Sequence, residues 1–374
     1  MVKPRKAVER LKKYRPPQEG RGGRLRLDFN ENTVGCAPEL VRALRHALTA
    51  ESLTRYPEYE QARKILAAYF KVGRDEILLT NGTDDAIKLI CDAFVDPGDT
   101  LLIPTPTFPV YQFFHQVAGG RVASVPRDET FALPLEGLLK ALKKRVRWMA
   151  LANPNNPTGT TIPKRDLARL LRAAPRTLVL VDEAYFDFCG QTVLGWIRKY
   201  ENLVVTRTFS KAFGLAALRM GCMFANGRLT ENLHRAQNPF AVNSLAMAGA
   251  CEAIRHERYV HRYAEEIRTN RAEFCRMLDA LGVPYVPSQA NFVLTRLGDR
   301  ASQIAAELRS QGILVRDWSY DSHLKGYVRF TIGSAAQTRR LIQALGRFGP
   351  WLGLRKNRAA WRNFVAYSPT GWFA

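Results

Sequence analysis

The sequence predicts an α/β protein with a large domain, built on a mostly parallel central sheet between helices, and a smaller α+β domain. Three observations carry this. Short runs rich in β-branched residues alternate with amphipathic stretches. Those runs are apolar throughout, as strands buried on both faces are, instead of apolar at every second residue. The pattern then changes after about residue 240.

The apolar runs are EILLT (76–80), TLLIP (100–104), RWMALAN (147–153), TLVLVDEAY (177–185), NLVVTRTF (202–209) and GCMFAN (221–226). Helix-like stretches lie between them, among them DDAIKLICDAF (84–94) and PKRDLARLLRAA (163–174), the latter with Pro163 where a first turn tolerates it. Such alternation implies right-handed βαβ units. After residue 240 comes a long helical stretch, a natural hinge between domains, and then strands expected at 291–296, 313–318 and 327–333. The expected layout is a basic arm at 1–26, a large domain at 49–240, a small domain from 27–48 and 241–347, and a basic aromatic tail at 348–374 with no assigned structure.

Composition removes several classes. With 374 residues and 46% apolar content, the chain can bury a substantial core. Its six cysteines form no CxxC pair and have no histidine at ligand spacing, so neither a disulfide framework nor a metal site is expected. The basic start is followed by no apolar run, so the expectation is a soluble, unexported, cytoplasmic protein without membrane contact. The net charge of +22 sits largely at the ends: residues 1–27 hold ten Lys/Arg against two Glu, and residues 347–374 hold five and no acid. Such charge steers anionic and phosphorylated partners, but no RRM, KH or zinc-finger pattern accompanies it, so nucleic acid is not expected as a partner.

In an open parallel sheet, ligands bind beyond the carboxyl ends of the strands. Polar residues stand at several of those ends together. EILLT runs into NGTDD, a glycine turn entering a helix whose free N–H groups suit a phosphate. RWMALAN runs into PNNPTG, LVLV into Asp182, Glu183 and Tyr185, and LVVTRTF into Ser210 and Lys211. Alone, each has an ordinary reading as a turn, a cap or a solvated charge. Their joint placement points to a site.

These pieces, with LDFNEN (27–32), RYPEY (55–59), NGTDDAI (81–87), NPNNPTG (153–159), VDEAYFDF (181–188), TFSKAFGLAALRMG (208–221) and YVRFTIG (327–333), resemble the fold-type I pyridoxal-phosphate-dependent aminotransferases, and within them the histidinol-phosphate aminotransferases. The resemblance implies that Lys211 holds pyridoxal 5'-phosphate as a Schiff base and later moves the proton. It implies that Asp182 pairs with the ring nitrogen, Tyr185 and Asn156 bond the phenolic oxygen, and Phe108 stacks on the ring. Gly82, Thr83, Asp84, Thr208, Ser210 and Arg219 would hold the phosphate, and Tyr56 would reach the neighbouring subunit's cofactor in a homodimer. Arg316, Arg329 and Asn32 would bind a small anionic or phosphorylated substrate.

The implied reaction is ping-pong transamination between histidinol phosphate and 2-oxoglutarate in histidine biosynthesis. An aromatic amino-acid aminotransferase and a phospho-amino-acid decarboxylase are alternatives on the same fold. A basic nucleic-acid-binding protein with a vestigial aminotransferase fold is the alternative of another class. Where the family carries an aromatic residue after NEN, this chain has Thr33 and Val34, and Tyr14 or Tyr320 are the rings available as substitutes.

Overall fold

The computed structural model describes residues 2–11 and 19–348. Its strands are β1 (Leu25–Leu27), β2 (Ile77–Thr80), β3 (Thr100–Thr105), β4 (Arg121–Pro126), β5 (Trp148–Ala152), β6 (Leu178–Asp182), β7 (Leu203–Thr208), β8 (Gly221–Phe224), β9 (Tyr285–Val286), β10 (Phe292–Arg296), β11 (Ile313–Asp317) and β12 (Tyr327–Thr331). They form a seven-stranded sheet in the order β2-β8-β7-β6-β5-β3-β4 and a five-stranded sheet in the order β1-β11-β12-β10-β9. Strands β7, β6, β5, β3 and β4 run parallel, and β8 runs antiparallel to both β7 and β2.

Both faces of the large sheet are buried, and the strand residues divide between two cores by parity. Leu78, Leu101, Trp148, Leu180 and Val204 join one cluster; Leu79, Leu102, Met149, Val179 and Val205 join the other. This is why the runs are apolar throughout. Removing one such side chain, as in Leu180→Ala, should cost about 2–5 kcal/mol through lost burial and the cavity left behind.

Three strands escape the sequence pattern. β4 is an edge strand with no fully buried residue, so it carries no apolar run. β9 is only two residues long, and β1 consists of Leu25–Leu27, paired parallel with β11. Leu25 and Arg26 therefore belong to a strand and not to the basic arm that the sequence suggested through residue 26. The long helical stretch is two helices, Ser244–Arg255 and Glu257–Ala280, interrupted at His256 (φ −105°, ψ 31°). Tyr14 and the tail beyond Phe348 lie outside the described residues.

All six cysteines are free. Among the described residues, no cluster of His, Cys, Asp and Glu could hold a metal, and no helix is long and apolar enough to cross a membrane.

Candidate active site

The carboxyl ends of β5, β6 and β7, together with the start of the helix Gly82–Phe94, meet at a cavity of about 670 Å³. Two glycines make the approach possible. A Cβ on Gly221, at the start of β8, would lie 2.8 Å from the carbonyl carbon of Gly82; one on Gly82, whose φ is +76°, would lie 2.6 Å from Arg219 Nη2. The helix N-terminus therefore sits directly against the arginine, and its first-turn residues Thr83 and Asp84 line the cavity.

Arg219, itself at φ 55°, donates to Ser210 Oγ at 3.3 Å, to Ala216 O at 3.1 Å and to Asp84 Oδ2 at 3.3 Å. Thr208 Oγ1 accepts from Ser210 N at 3.1 Å, which shapes the turn leading into Lys211. Thus the segment 208–219 delivers two hydroxyls, an amine and a guanidinium to one place.

Lys211 Nζ donates to Phe29 O at 2.8 Å. Burial lowers its pKa to about 8, with the positive charge of Arg329 adding to the effect. A fraction of the amine is therefore neutral near pH 7.

Asp182 is only 4% exposed, and burial raises its pKa. Three donors oppose this: Tyr111 Oη at 2.7 Å, Thr206 Oγ1 at 3.0 Å and Ala184 N at 3.2 Å. Among the described residues it forms no ion pair, so the carboxylate faces the cavity ready for a cationic partner.

The second wall comes from the small sheet. Arg316 of β11 and Arg329 of β12 are register partners, and both line the cavity. Arg329 donates to Asp28 O and to Asn156 Oδ1, while its buried Nε has no partner among the described residues. Burial, with the charge of Arg316 adding, lowers its pKa to about 10. Arg316 donates to Tyr320 Oη at 3.2 Å. Among the described residues, neither guanidinium has a carboxylate partner. Two cations lining one cavity without a counter-ion make an anion site.

Most of the residues expected from sequence come together here: Thr83, Asp84, Phe108, Asn156, Asp182, Tyr185, Thr208, Ser210, Lys211, Arg219, Arg316 and Arg329 all line the cavity. Gly82 acts by admitting Arg219 instead of lining it. One expectation changes. Asn32 does not face the cavity: its Oδ1 accepts from Val34 N and Gly35 N, and its Nδ2 donates to Ala212 O at 3.0 Å, so it braces the lysine loop. Tyr56 is 77% exposed and stacks on Phe240 at 4.5 Å, outside its own chain's cavity.

Three residues were not singled out from sequence. Asn30, two places before Asn32 and at φ 56°, donates to Tyr185 Oη at 2.9 Å and accepts from Thr331 Oγ1 at 3.0 Å. Tyr111 holds Asp182. Trp318 lines the cavity beside Arg316 and Arg329, with its ring centroid 5.7 Å from each guanidinium carbon. Asn30 lies within LDFNEN, Tyr111 three places after Phe108 and Trp318 two places after Arg316.

The residues present fit pyridoxal phosphate. Beyond the unpaired Asp182 carboxylate, the Asn156 side-chain N–H group and the Tyr185 O–H make no hydrogen bond within the described residues, leaving donors for a phenolic oxygen. A mostly parallel sheet whose strand ends present a buried carboxylate, a lysine of lowered pKa and an arginine at a helix N-terminus defines a fold-type I aminotransferase-like protein. The family model for class I and II aminotransferases matches residues 24–345, and the chain belongs to that family, whose members transfer amino groups.

Among curated relatives, a histidinol-phosphate aminotransferase of Caldanaerobacter subterraneus subsp. tengcongensis is 35% identical over 86% of this chain and 92% of its own. Among solved structures, histidinol-phosphate aminotransferase from Sinorhizobium meliloti, in complex with pyridoxal-5'-phosphate, has a TM-score of 0.82 at 24% identity, covering 97% of this chain and 98% of its own. L-threonine-O-3-phosphate decarboxylase from Porphyromonas gingivalis has a TM-score of 0.76 at 29% identity, covering 87% and 99%.

Proposed function

We propose that this chain is a pyridoxal-phosphate-dependent histidinol-phosphate aminotransferase using 2-oxoglutarate as acceptor, a cytoplasmic enzyme of histidine biosynthesis. The observation that carries the reading is the Arg316–Arg329 pair, lining the same cavity as Lys211 with no counter-ion among the described residues. Two guanidinium groups suit a phosphate dianion in one half-reaction and the carboxylate of glutamate in the other.

When bound, pyridoxal phosphate supplies a conjugated ring that takes up the electron pair left at the substrate α-carbon. The protein's own groups do the rest. Arg219, the hydroxyls of Thr208 and Ser210, and the N–H groups at the start of the helix Gly82–Phe94 grip the phosphate. Asp182, held by Tyr111, Thr206 and Ala184 N, would pair with the ring nitrogen and hold a proton there. Phe108 covers a ring face, and Tyr185 and Asn156 donate to the phenolic oxygen. Lys211 Nζ, with its pKa near 8, accepts a proton from the substrate α-carbon and returns it.

The active unit in this reading is a homodimer. Tyr56 and Phe240, exposed and stacked, would be covered by a second copy, with Tyr56 reaching the partner's cofactor phosphate; light scattering on the purified protein reads the mass directly. The domain division proposed is the large sheet with its helices against the small sheet, with the break at His256 lying between the two long helices of the second unit.

The test is the conversion of imidazole-acetol phosphate to histidinol phosphate with glutamate as donor. Efficient amination of phenylpyruvate with no histidinol phosphate formed would replace this reading by the aromatic one. The Porphyromonas gingivalis neighbour favours a second reading, decarboxylation of a phospho-amino acid, because the arginine pair suits that substrate too. Carbon dioxide release without an oxo-acid acceptor would establish it.

A further inference from the structure

The charge not absorbed by the active site is concentrated. Residues 28–134 hold ten Lys/Arg against fifteen Asp/Glu, whereas residues 135–177 hold ten against two. The structure gathers much of this excess around one groove of about 660 Å³, lined by residues 142–147 and 173–177. Its lining contains Lys143, Lys144, Arg145, Arg147 and Arg176 and no carboxylate. Arg147 is neutralised by Asp99 at 2.6 Å and Asp96 at 3.3 Å. The other four are exposed and form no ion pair among the described residues, with exposed Arg172 in the adjacent helix Lys164–Ala173.

The two walls are fixed side by side by the fold. Thr177 Oγ1 donates to Val146 O at 2.9 Å, and Leu178 N donates to Arg147 O at 3.2 Å, where β5 and β6 begin. Crowding four unpaired cations around one concavity costs self-repulsion energy that an anion would relieve. Their number exceeds what one small phosphate requires. None of the large exposed apolar side chains lies between residues 135 and 177, so nothing on this stretch would enter a lipid bilayer. No aromatic side chain lines the groove, so no platform exists for stacking a base.

We infer that this groove binds the phosphate backbone of a nucleic acid, without reading its sequence. The groove lies at the amino ends of the parallel strands, and the catalytic cavity at their carboxyl ends, about 16 Å away along the five residues of β5. Binding there leaves the active site open.

The experiment is fluorescence anisotropy of the full chain, loaded with pyridoxal phosphate, against a labelled 20-nucleotide single-stranded RNA of mixed sequence. Four phosphate contacts give a log–log salt slope of about −3, a loss of affinity of about 50-fold between 50 and 200 mM salt. The variant K143E/K144E/R145E/R176E should keep its transamination rate, bind RNA at least tenfold more weakly and show a slope shallower by about 3 units. A duplex of equal length should bind within a few fold of the single strand.

If the reversed charges disturb folding, the neutral variant K143Q/K144Q/R145Q/R176Q supplies the same comparison. Unchanged affinity and slope in a folded variant would overturn the inference, as would binding that disappears on removing residues 349–374 alone. Binding to phosphatidylserine vesicles that a hundredfold excess of RNA does not displace would assign the groove to membranes instead.

Discussion

The two walls of the cavity are built differently. The wall that would hold the cofactor comes from successive strand ends of one sheet, and its groups bond to near neighbours, as Arg219 does to Ser210 and Ala216, and to adjoining strand ends, as Tyr111 and Thr206 do to Asp182. The wall that would grip the substrate joins β11 and β12 to residues 27–32, so Asn30 meets Thr331 across 301 positions of sequence. The first wall is fixed by local chain geometry and a deep parallel sheet. The second depends on long-range docking, which leaves specificity free to change without touching the cofactor grip.

The largest expected effect falls on the first wall. Lys211→Ala should lower transamination by at least about 10³-fold, since the proton carrier is lost, and should abolish the visible band formed with pyridoxal phosphate. Retention of that band would place the cofactor elsewhere. On the second wall, Arg329→Gln should reduce kcat/KM by about 10²–10³-fold, the cost of removing a buried charge that meets an anion. Its cofactor spectrum should stay unchanged, and a lost spectrum would merge the two walls into one unit.

A smaller effect is expected at Tyr111. Tyr111→Phe removes one of three donors to Asp182, worth about 1–3 kcal/mol to a charged acceptor, and should weaken cofactor affinity by about 5–100-fold, measured by spectral titration. Asn30→Ala should weaken cofactor affinity by less in the same titration, through the freed Tyr185 hydroxyl that would meet the phenolic oxygen.

The mildest probe is pH. Because Lys211 has its pKa lowered to about 8, the cofactor-free protein holds mostly protonated amine at pH 7 and mostly neutral amine at pH 9. Uptake of pyridoxal phosphate, which needs the neutral form, should accelerate about tenfold across that range and then level off. A flat profile would show that burial does not set this amine's protonation.

The difference between the walls also explains what the sequence reveals. Strands buried on both faces announce themselves as apolar runs, and the polar residues directly after them, Asp182, Ser210 and Lys211, follow from chain order. The edge strand β4 and the two-residue β9 have no such signature. Asn30 could not be told from Asn32 by type, because the left-handed turn at Asn30 decides which amide faces inward. Trp318 and Tyr111 become visible only once distant segments meet. Asn32 follows from its motif alone, and geometry moves it out of the cavity.

One contact ties the walls together. The amine of Lys211 is spoken for, donating to Phe29 O in the segment that also carries Asn30. A single amine cannot both capture an aldehyde and keep that tether. Loading the cofactor therefore strips Phe29 of a donor and slackens the strip of chain beneath the substrate, so occupancy of one compartment is felt as looseness in the other. Backbone hydrogen exchange at residues 29–32, compared with and without pyridoxal phosphate, would register that signal before any substrate arrives.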